Sequence, residues 1–437
     1  MEKTASSLGY TEEEYRRFKR QGIRYLLLFS VLYMTHYCSR LNLTNASALM
    51  IEELHWTKAD IGVLSSALFW AYGIGQLVNG RLSEIVGAKK FLFLSILLSI
   101  AANLLLGFQS SLVIMTLLCV VNGYFQSMAW CPGMTMLTRW WPANRRGFAV
   151  GFAHAFSGFG QVVATFAVVA AFRLLPDLGW RAAFFLPPAV PLVMLLVFTV
   201  FVKTSPTSIG LSEYIEADAE KADQEEDMQR LLQQHGKLYP YLYVLRNNKF
   251  ILWGVIAFIA GLARYGLTTW IPLYFVDRFS IDITDGLLQS AALPIGMGIG
   301  TLTIPSLTDR FCPRDRVPAV IISSVAAAAF VWVFFFLDPR IPVQAVLLEL
   351  TLFFAGFFIY AINGVSLVHA VDLGGRVFSG TSSGILSFCS YLGAGVQSLL
   401  YGFLLETAGW NMVFGSLSLL CLLAAVLGMI VRRSRYK

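Results

Sequence analysis

The chain has 437 residues, of which 57% are hydrophobic and only 14% charged. A soluble domain carries roughly 25% charged residues, so the composition excludes a water-soluble globule and indicates an all-α polytopic membrane protein. The net charge of +7 comes from lysines and arginines at the ends of apolar runs, where they mark membrane topology rather than a nucleic-acid surface.

The first 22 residues are polar, with Arg16, Arg17, Lys19 and Arg20 just ahead of the first apolar run. No small-residue cleavage site follows a short apolar core, so this stretch does not read as a cleavable signal. Apolar runs of roughly 20 residues, enough to cross about 30 Å of hydrocarbon, then recur about twelve times. They lie near 24–49, 60–83, 89–108, 111–140, 147–172, 181–202, 250–276, 284–307, 317–337, 342–370, 379–404 and 411–431. The expected organisation is a tail 1–22, a six-helix half 23–202, a central loop 203–249, a second six-helix half 250–431 and a tail 432–437. Basic residues fill alternate loops, among them Lys89, Lys90, Arg145, Arg146, Arg310, Arg314, Arg316 and Arg376. Both termini and the central loop are therefore expected in the cytoplasm. The central loop carries an acidic run from Glu213 to Asp227, then a stretch from Met228 to Gln234 that reads as a short surface helix. Six scattered cysteines show neither zinc-ligand spacing nor a secreted disulfide framework. The sequons at Asn42 and Asn45 fall within or at the end of the first span and read as chance matches.

The two halves repeat each other. Arg40 and Arg264 are 224 positions apart (264 − 40), and Gly80-Arg-Leu-Ser-Glu84 is matched by Pro305-Ser-Leu-Thr-Asp309 at 225 (309 − 84). Gly179-Trp-Arg and Gly409-Trp-Asn follow at 230 (409 − 179). Duplicated halves place a binding site between them near the bilayer midplane.

Within the first span, an arginine costs about 2.5 to 3.5 kcal/mol at the bilayer centre. On a continuous helix Tyr33, His36, Tyr37 and Thr44 share the face of Arg40. This predicts a wet, donor-rich stripe on a cavity, with Arg264 facing the same cavity from the second half. His154, with Ser157 three residues on, is a further intramembrane polar group suited to an anion or a proton. Glu84 and Asp309 with Arg310 follow the second span of each half and read as a cytoplasmic gate, an acid at a helix end latching onto bases. Gly147, Gly151, Gly158, Gly160, Gly380, Gly384, Gly393 and Gly395 are expected to let helices approach closely. No nucleophile–base–oxyanion set, phosphate-cradling glycine loop or metal-ligand cluster is recognisable, so the chain is not expected to be an enzyme and needs no cofactor or metal.

Several of these residues also carry a family likeness. Tyr33, Tyr37, Arg40 and Asn42 in the first span, Trp130-Cys-Pro-Gly and Arg139-Trp-Trp141 in the fourth, and Ala153-His154 in the fifth belong to it. So do Arg264-Tyr-Gly266 with Trp270, Tyr360, and Tyr391-Leu-Gly393. Together they resemble the organophosphate:inorganic phosphate antiporters of the major facilitator superfamily, the group of bacterial glycerol-3-phosphate and hexose-phosphate transporters. The resemblance implies a monomer in a bacterial inner membrane that exchanges an organic phosphate for inorganic phosphate. It implies that Arg40 and Arg264 clamp the phosphate while His154 and the tyrosines Tyr33, Tyr37, Tyr360 and Tyr391 donate hydrogen bonds, beside Trp130 and Gln76. Two positions depart from the pattern: Gln76 stands where a lysine is common, and Gly261 stands one turn before Arg264 where a tyrosine occurs. A neutral Gln76 suits a monoanion, which keeps open a proton-coupled transporter of a carboxylate or sulfonate. A non-transporting sensor on the same fold is the other alternative.

Overall fold

The computed structural model describes residues 8–212, 234, 239–311 and 315–433. Helices dominate, and no strand occurs among the described residues. In chain order they include α1 (Glu12–His36), α2 (Asn42–Leu54), α3 (Lys58–Val86), α4 (Ala88–Gly107), α5 (Leu112–Ser127), α6 (Trp130–Trp140) and α7 (Ala143–Leu174). There follow α8 (Ala189–Phe201), α9 (Asn248–Phe279), α10 (Ile283–Ser290), α11 (Ala292–Phe311), α12 (Val317–Phe335), α13 (Pro342–Thr407) and α14 (Gly409–Arg433). Eleven segments among the described residues are long and apolar enough to cross a membrane. The first segment adds a further crossing in two pieces, giving the expected fold of about twelve spans in two six-helix halves.

Local sequence explains several boundaries. Thr11 and Thr57 each cap a helix reciprocally with an acid three residues on, Glu14 and Asp60, which satisfies two orphan amides at each start. Gly87 at φ 94 alone joins α3 to α4, a conformation that a side chain would strain. Helix α13 is one run of 66 residues, about 99 Å if straight at 1.5 Å per residue. Ser366 and Leu386 nevertheless line one cavity. The run therefore doubles back between its two apolar spans, 342–366 and 381–407.

Apolar residues are sorted as a bilayer solvent demands. Each half has its own core, one around Phe29, Leu32, Trp140 and Phe198, the other around Trp270, Tyr274, Phe334 and Phe414. Large apolar side chains such as Val193, Val200, Ile322, Val343 and Leu419 are exposed on the outer faces, where acyl chains rather than water would meet them. A third cluster joins the halves, bringing Leu43, Met50 and Leu64 together with Tyr265, Leu287 and Ala394.

One end of the seam between the halves is shut. Lys58 Nζ pairs with Asp277 Oδ2 at 2.9 Å, and Trp410 Nε1 donates to the same oxygen at 2.6 Å. The Lys58 amide donates to Glu406 Oε1 at 2.7 Å, and Ser66 Oγ donates to Gly395 O at 2.6 Å. The glycines behave as expected only in part. A Cβ on Gly158 would strike Gly298, one on Gly393 would strike Phe258 O, and one on Gly160 would strike Met34 O. Gly151 and Gly384 meet nothing within 4 Å, so close packing does not account for them. The side chains of Glu84, Asp309 and Arg310, read from sequence as the gate, lie outside the described residues, as does the stretch Met228 to Gln233. Lys89 donates instead to Thr199 O and Val202 O at 2.8 and 2.7 Å, tying down the end of α8.

Candidate functional site

The continuous first helix expected around Arg40 is not what forms. Helix α1 stops at His36, a 3-10 turn spans Tyr37–Ser39, and α2 begins at Asn42. Arg40 sits in the break, so the helical register that put His36 and Thr44 on its face does not hold. His36 is fully buried with both ring nitrogens unpaired, and Thr44 lines a different cavity. Tyr33, N-terminal to the break, and Tyr37, its first residue, both line the main cavity as expected.

No proline or glycine makes this break; three amides from neighbouring spans receive it. Asn103 Nδ2, Asn122 Nδ2 and Gln126 Nε2 all donate to Ser39 O, at 2.8, 3.3 and 3.1 Å. The same amides are linked through Ser99, which accepts from Gln126 at 2.7 Å and donates to Asn122 Oδ1 at 2.7 Å. Asn42 Nδ2 donates to Asn103 Oδ1. A carbonyl freed from a helix inside a membrane costs several kcal/mol unless it finds partners, and here it finds three. The far side of the web reaches the arginine: Arg40 Nε donates to Gln126 Oε1 at 3.2 Å. Asn42 and Asn45, the two sequon positions, are both buried.

Between the halves lies a cavity of about 60 Å³, partly open to solvent. Of the residues nominated from sequence, Tyr33, Tyr37, Gln76, Trp130, His154, Arg264, Tyr360 and Tyr391 all line it. Arg40 stands one layer back. Its guanidinium carbon is 4.5 Å from the Tyr37 ring centre and 4.6 Å from that of Tyr72, and both rings form the cavity wall. The guanidinium of Arg264 lies 4.0 Å from the Tyr360 ring centre and 4.6 Å from that of Tyr265. Each cation is thus seated between two tyrosines, contacts worth about 2 kcal/mol apiece once desolvated, set against the several kcal/mol that burying an ion costs. Among the described residues, Nη1 and Nη2 of Arg40 and Nε of Arg264 have no hydrogen-bond partner, and neither arginine has an ion pair.

The remaining wall is aromatic and weakly polar. The His154 ring stacks on Tyr360 at 5.4 Å and meets Trp130 edge-on at 5.5 Å, while its Nε2 is unpaired. Ser157 Oγ and Tyr360 Oη are 2.7 Å apart. Tyr391 lies 4.1 Å from Tyr72 and 5.5 Å from Tyr265. Gln76 is held by Ser127 O at 3.4 Å and the Cys131 thiol at 3.5 Å, an arrangement that uses both ends of a neutral amide. Glu349, near the start of the tenth apolar run, is exposed rather than turned into the cavity. The sequence did not single out Tyr72, Asn363, Ser366, Ser387 and Ser390 as wall residues, nor Tyr265 as a ring beneath Arg264. Tyr72 was legible, since it stands one helical turn before Gln76. Gly261 has a packing explanation: any Cβ there would meet Ser390 O, so a tyrosine does not fit and its absence carries no information about substrate.

The cavity's wall extends away from the shut end. It runs from Arg264 back along α9 to Ala257 and on to Ser366 and Leu386, while Asp277 on α9 lies in the latch at the other end.

Known proteins share both sequence and architecture with this chain. A probable hexose phosphate transport protein of Chlamydia pneumoniae is 25% identical over 409 residues, covering 91% of this chain and 88% of that one. A phosphoglycerate transporter protein of Salmonella typhimurium is 27% identical over 410 residues, covering 90% and 85%. Among solved structures, a bacterial homologue of the human lysosomal transporter Spinster, inward-facing and unoccupied, superposes with a TM-score of 0.74 at 14% identity. That match covers 95% of this chain and 98% of the other. The sequence model of the Major Facilitator Superfamily matches residues 29–398, most of the chain, and the protein belongs to that superfamily.

Proposed function

We propose that the protein exchanges an organic phosphate for inorganic phosphate across a bacterial inner membrane by alternating access, with both termini in the cytoplasm. One observation carries this reading. Two buried arginines, one from each half, flank a single cavity with unpaired guanidinium nitrogens and no carboxylate partner among the described residues. A phosphate supplies the missing acceptors, and arginine forks take it bidentately. At an effective dielectric near 20, a unit charge about 4 Å from a cation is worth about 4 kcal/mol, enough to offset what the tyrosine seats leave uncovered.

Arg264 meets an anion first, because it lines the open cavity. Arg40 joins when the Tyr37 or Tyr72 ring swings aside as the halves rock together. Without an anion the two cations resist that approach, so the empty carrier crosses slowly and exchange is favoured over leak. The phosphorylated substrates named for the hexose phosphate and phosphoglycerate relatives agree with this. Neutral Gln76 favours one second reading, a monoanionic carboxylate or sulfonate. The test is uptake of labelled phosphate by reconstituted vesicles. Vesicles loaded with phosphate take up label and empty ones do not. Equal uptake by empty vesicles under a proton gradient would favour the symport alternative, and uptake of a sulfonate but not phosphate would favour the second reading.

A further inference from the structure

A second chamber, lined by both polar and apolar side chains, lies beyond the arginines, toward the shut end. Its wall includes Thr44 and Asn45 of α2, Gln161 and Thr165 of α7, Thr268 of α9 and Ser290 of α10. These side chains continue stripes that begin in the main cavity. On α7 the series is His154, Ser157, Gln161, Thr165, and on α9 it is Arg264 then Thr268, each step about one helical turn of 5.4 Å. About 20 Å³ of the chamber is accessible to water, room for one or two molecules.

The chamber is built for hydrogen bonding, yet its two amides are not satisfied. Asn45 is 5% and Gln161 3% exposed. Asn45 Nδ2 and Gln161 Oε1 have no partner, and Gln161 Nε2 has only the Met297 sulfur at 3.7 Å. A packing role does not explain this, because an orphaned buried polar group costs about 1 to 3 kcal/mol. The hydroxyls of Thr268 and Ser290 donate to carbonyls of their own helices, which leaves their oxygens able to accept. Among the described residues no charged side chain lines the chamber, so it suits a neutral donor and acceptor rather than a phosphate.

We propose that this chamber is an outer subsite of the transport path. In it Asn45 and Gln161 hydrogen-bond the hydroxylated end of the substrate while the arginines hold its phosphate. The inference rests on the phosphate-exchange reading and adds where the organic end goes. Selection at such a site works as it does wherever buried polar groups await a hydroxyl: an analogue lacking it leaves them unpaired.

The experiment is competition against uptake of labelled phosphate into phosphate-loaded vesicles, with glycerol phosphate and propyl phosphate as paired probes. Both are phosphomonoesters with a three-carbon chain, and only the first carries hydroxyls on it. Wild type should prefer glycerol phosphate by about tenfold or more, the discrimination expected of one or two well-placed hydrogen bonds. Gln161→Met and, independently, Asn45→Leu should cut that ratio at least about fivefold while the KM for phosphate stays within about twofold. An unchanged ratio in either variant that still exchanges phosphate overturns the subsite. So does a wild type that does not distinguish the two esters, or a parallel loss of phosphate and ester transport in both variants. Absence of phosphate exchange in wild type is a different failure: it removes the exchange reading itself, and the subsite with it.

Discussion

Arg40 and Arg264 occupy matching places in the two halves and are seated between pairs of tyrosines, yet they are held in different ways. Arg40 lies in a broken helix, pinned through Gln126 to a web of amides, and is screened from the cavity by Tyr37 and Tyr72. Arg264 lies within unbroken α9, has only aromatic rings and the unpaired nitrogen noted above, and lines the cavity directly. One cation is therefore anchored by a side-chain hydrogen bond, while the other is held by ring contacts. Equivalent charges need not sit in equivalent surroundings: one is tied into a web of amides, and the other faces the cavity.

The largest expected effect removes either charge. Arg40→Ala and Arg264→Ala should each lower phosphate exchange by about 100-fold or more, the equivalent of losing two charge-assisted hydrogen bonds. Arg→Lys should recover little at either place, since it keeps the charge and loses the fork. Recovery to near wild type by either lysine variant would break the clamp.

The second effect separates the two seats. Gln126→Leu removes the one side-chain anchor of Arg40 and one of three donors to Ser39 O. It should raise the phosphate KM about 5- to 20-fold and lower thermal stability, as expected when buried partners are orphaned. On the other side, Tyr360→Phe keeps the ring under Arg264 and loses one hydroxyl contact, so exchange should change by no more than about threefold. Equal effects would mean that the two seats are alike after all.

Gln76→Lys sharpens the comparison by adding a third cation to the same wall. Attraction to a dianion rises by about 1 to 3 kcal/mol at an effective dielectric near 20, before the lysine's own desolvation. A monoanion gains about half as much. Apparent phosphate affinity should therefore rise more at pH 8 than at pH 6, where the second phosphate proton is retained. Competition binding at both pH values checks it, and no change at either would mean that Gln76 does not reach the anion.

The smallest effect is a contrast outside the cavity. In the loop between α12 and α13, Arg340 Nη2 meets Asp338 Oδ2 at 2.6 Å. Hydrogen bonds from Arg340 hold the Asp338 carboxyl down at about 2, against an ordinary value of 3.8. A depressed folded value means the pair's contribution is present above about pH 4 and fades as pH falls toward 2. Being exposed, the pair should matter little: Asp338→Asn should leave exchange unchanged at pH 7 and shift Tm by about a degree or less. A large transport defect there would show that exposed charge pairs, not only the buried arginines, govern the cycle.

The architecture was legible in the sequence because each span buries or exposes about twenty consecutive apolar residues, a signal that needs no tertiary knowledge. The cavity was legible for a related reason. Arginine, histidine and clustered tyrosines inside such runs are costly, so they mark polar space. What escaped was set by partners distant in sequence. The break at Tyr37–Leu41 has no proline or glycine and depends on Asn103, Asn122 and Gln126 from other spans. Gly261 looked like a statement about substrate and is a statement about Ser390. Tyr265 stands next to Arg264 in the chain, and only the fold shows its ring beneath the guanidinium.

The central claim is that both arginines hold one anion. Calorimetric titration of inorganic phosphate into purified protein tests it most directly, using wild type, Arg40→Lys, Arg264→Lys and the double variant. The account predicts one phosphate per chain in wild type. Each single substitution should weaken that same event strongly, and the double should lose much less than the sum, because the two side chains share a ligand. Two phosphates per chain, or a single variant that binds as wild type does, would contradict it.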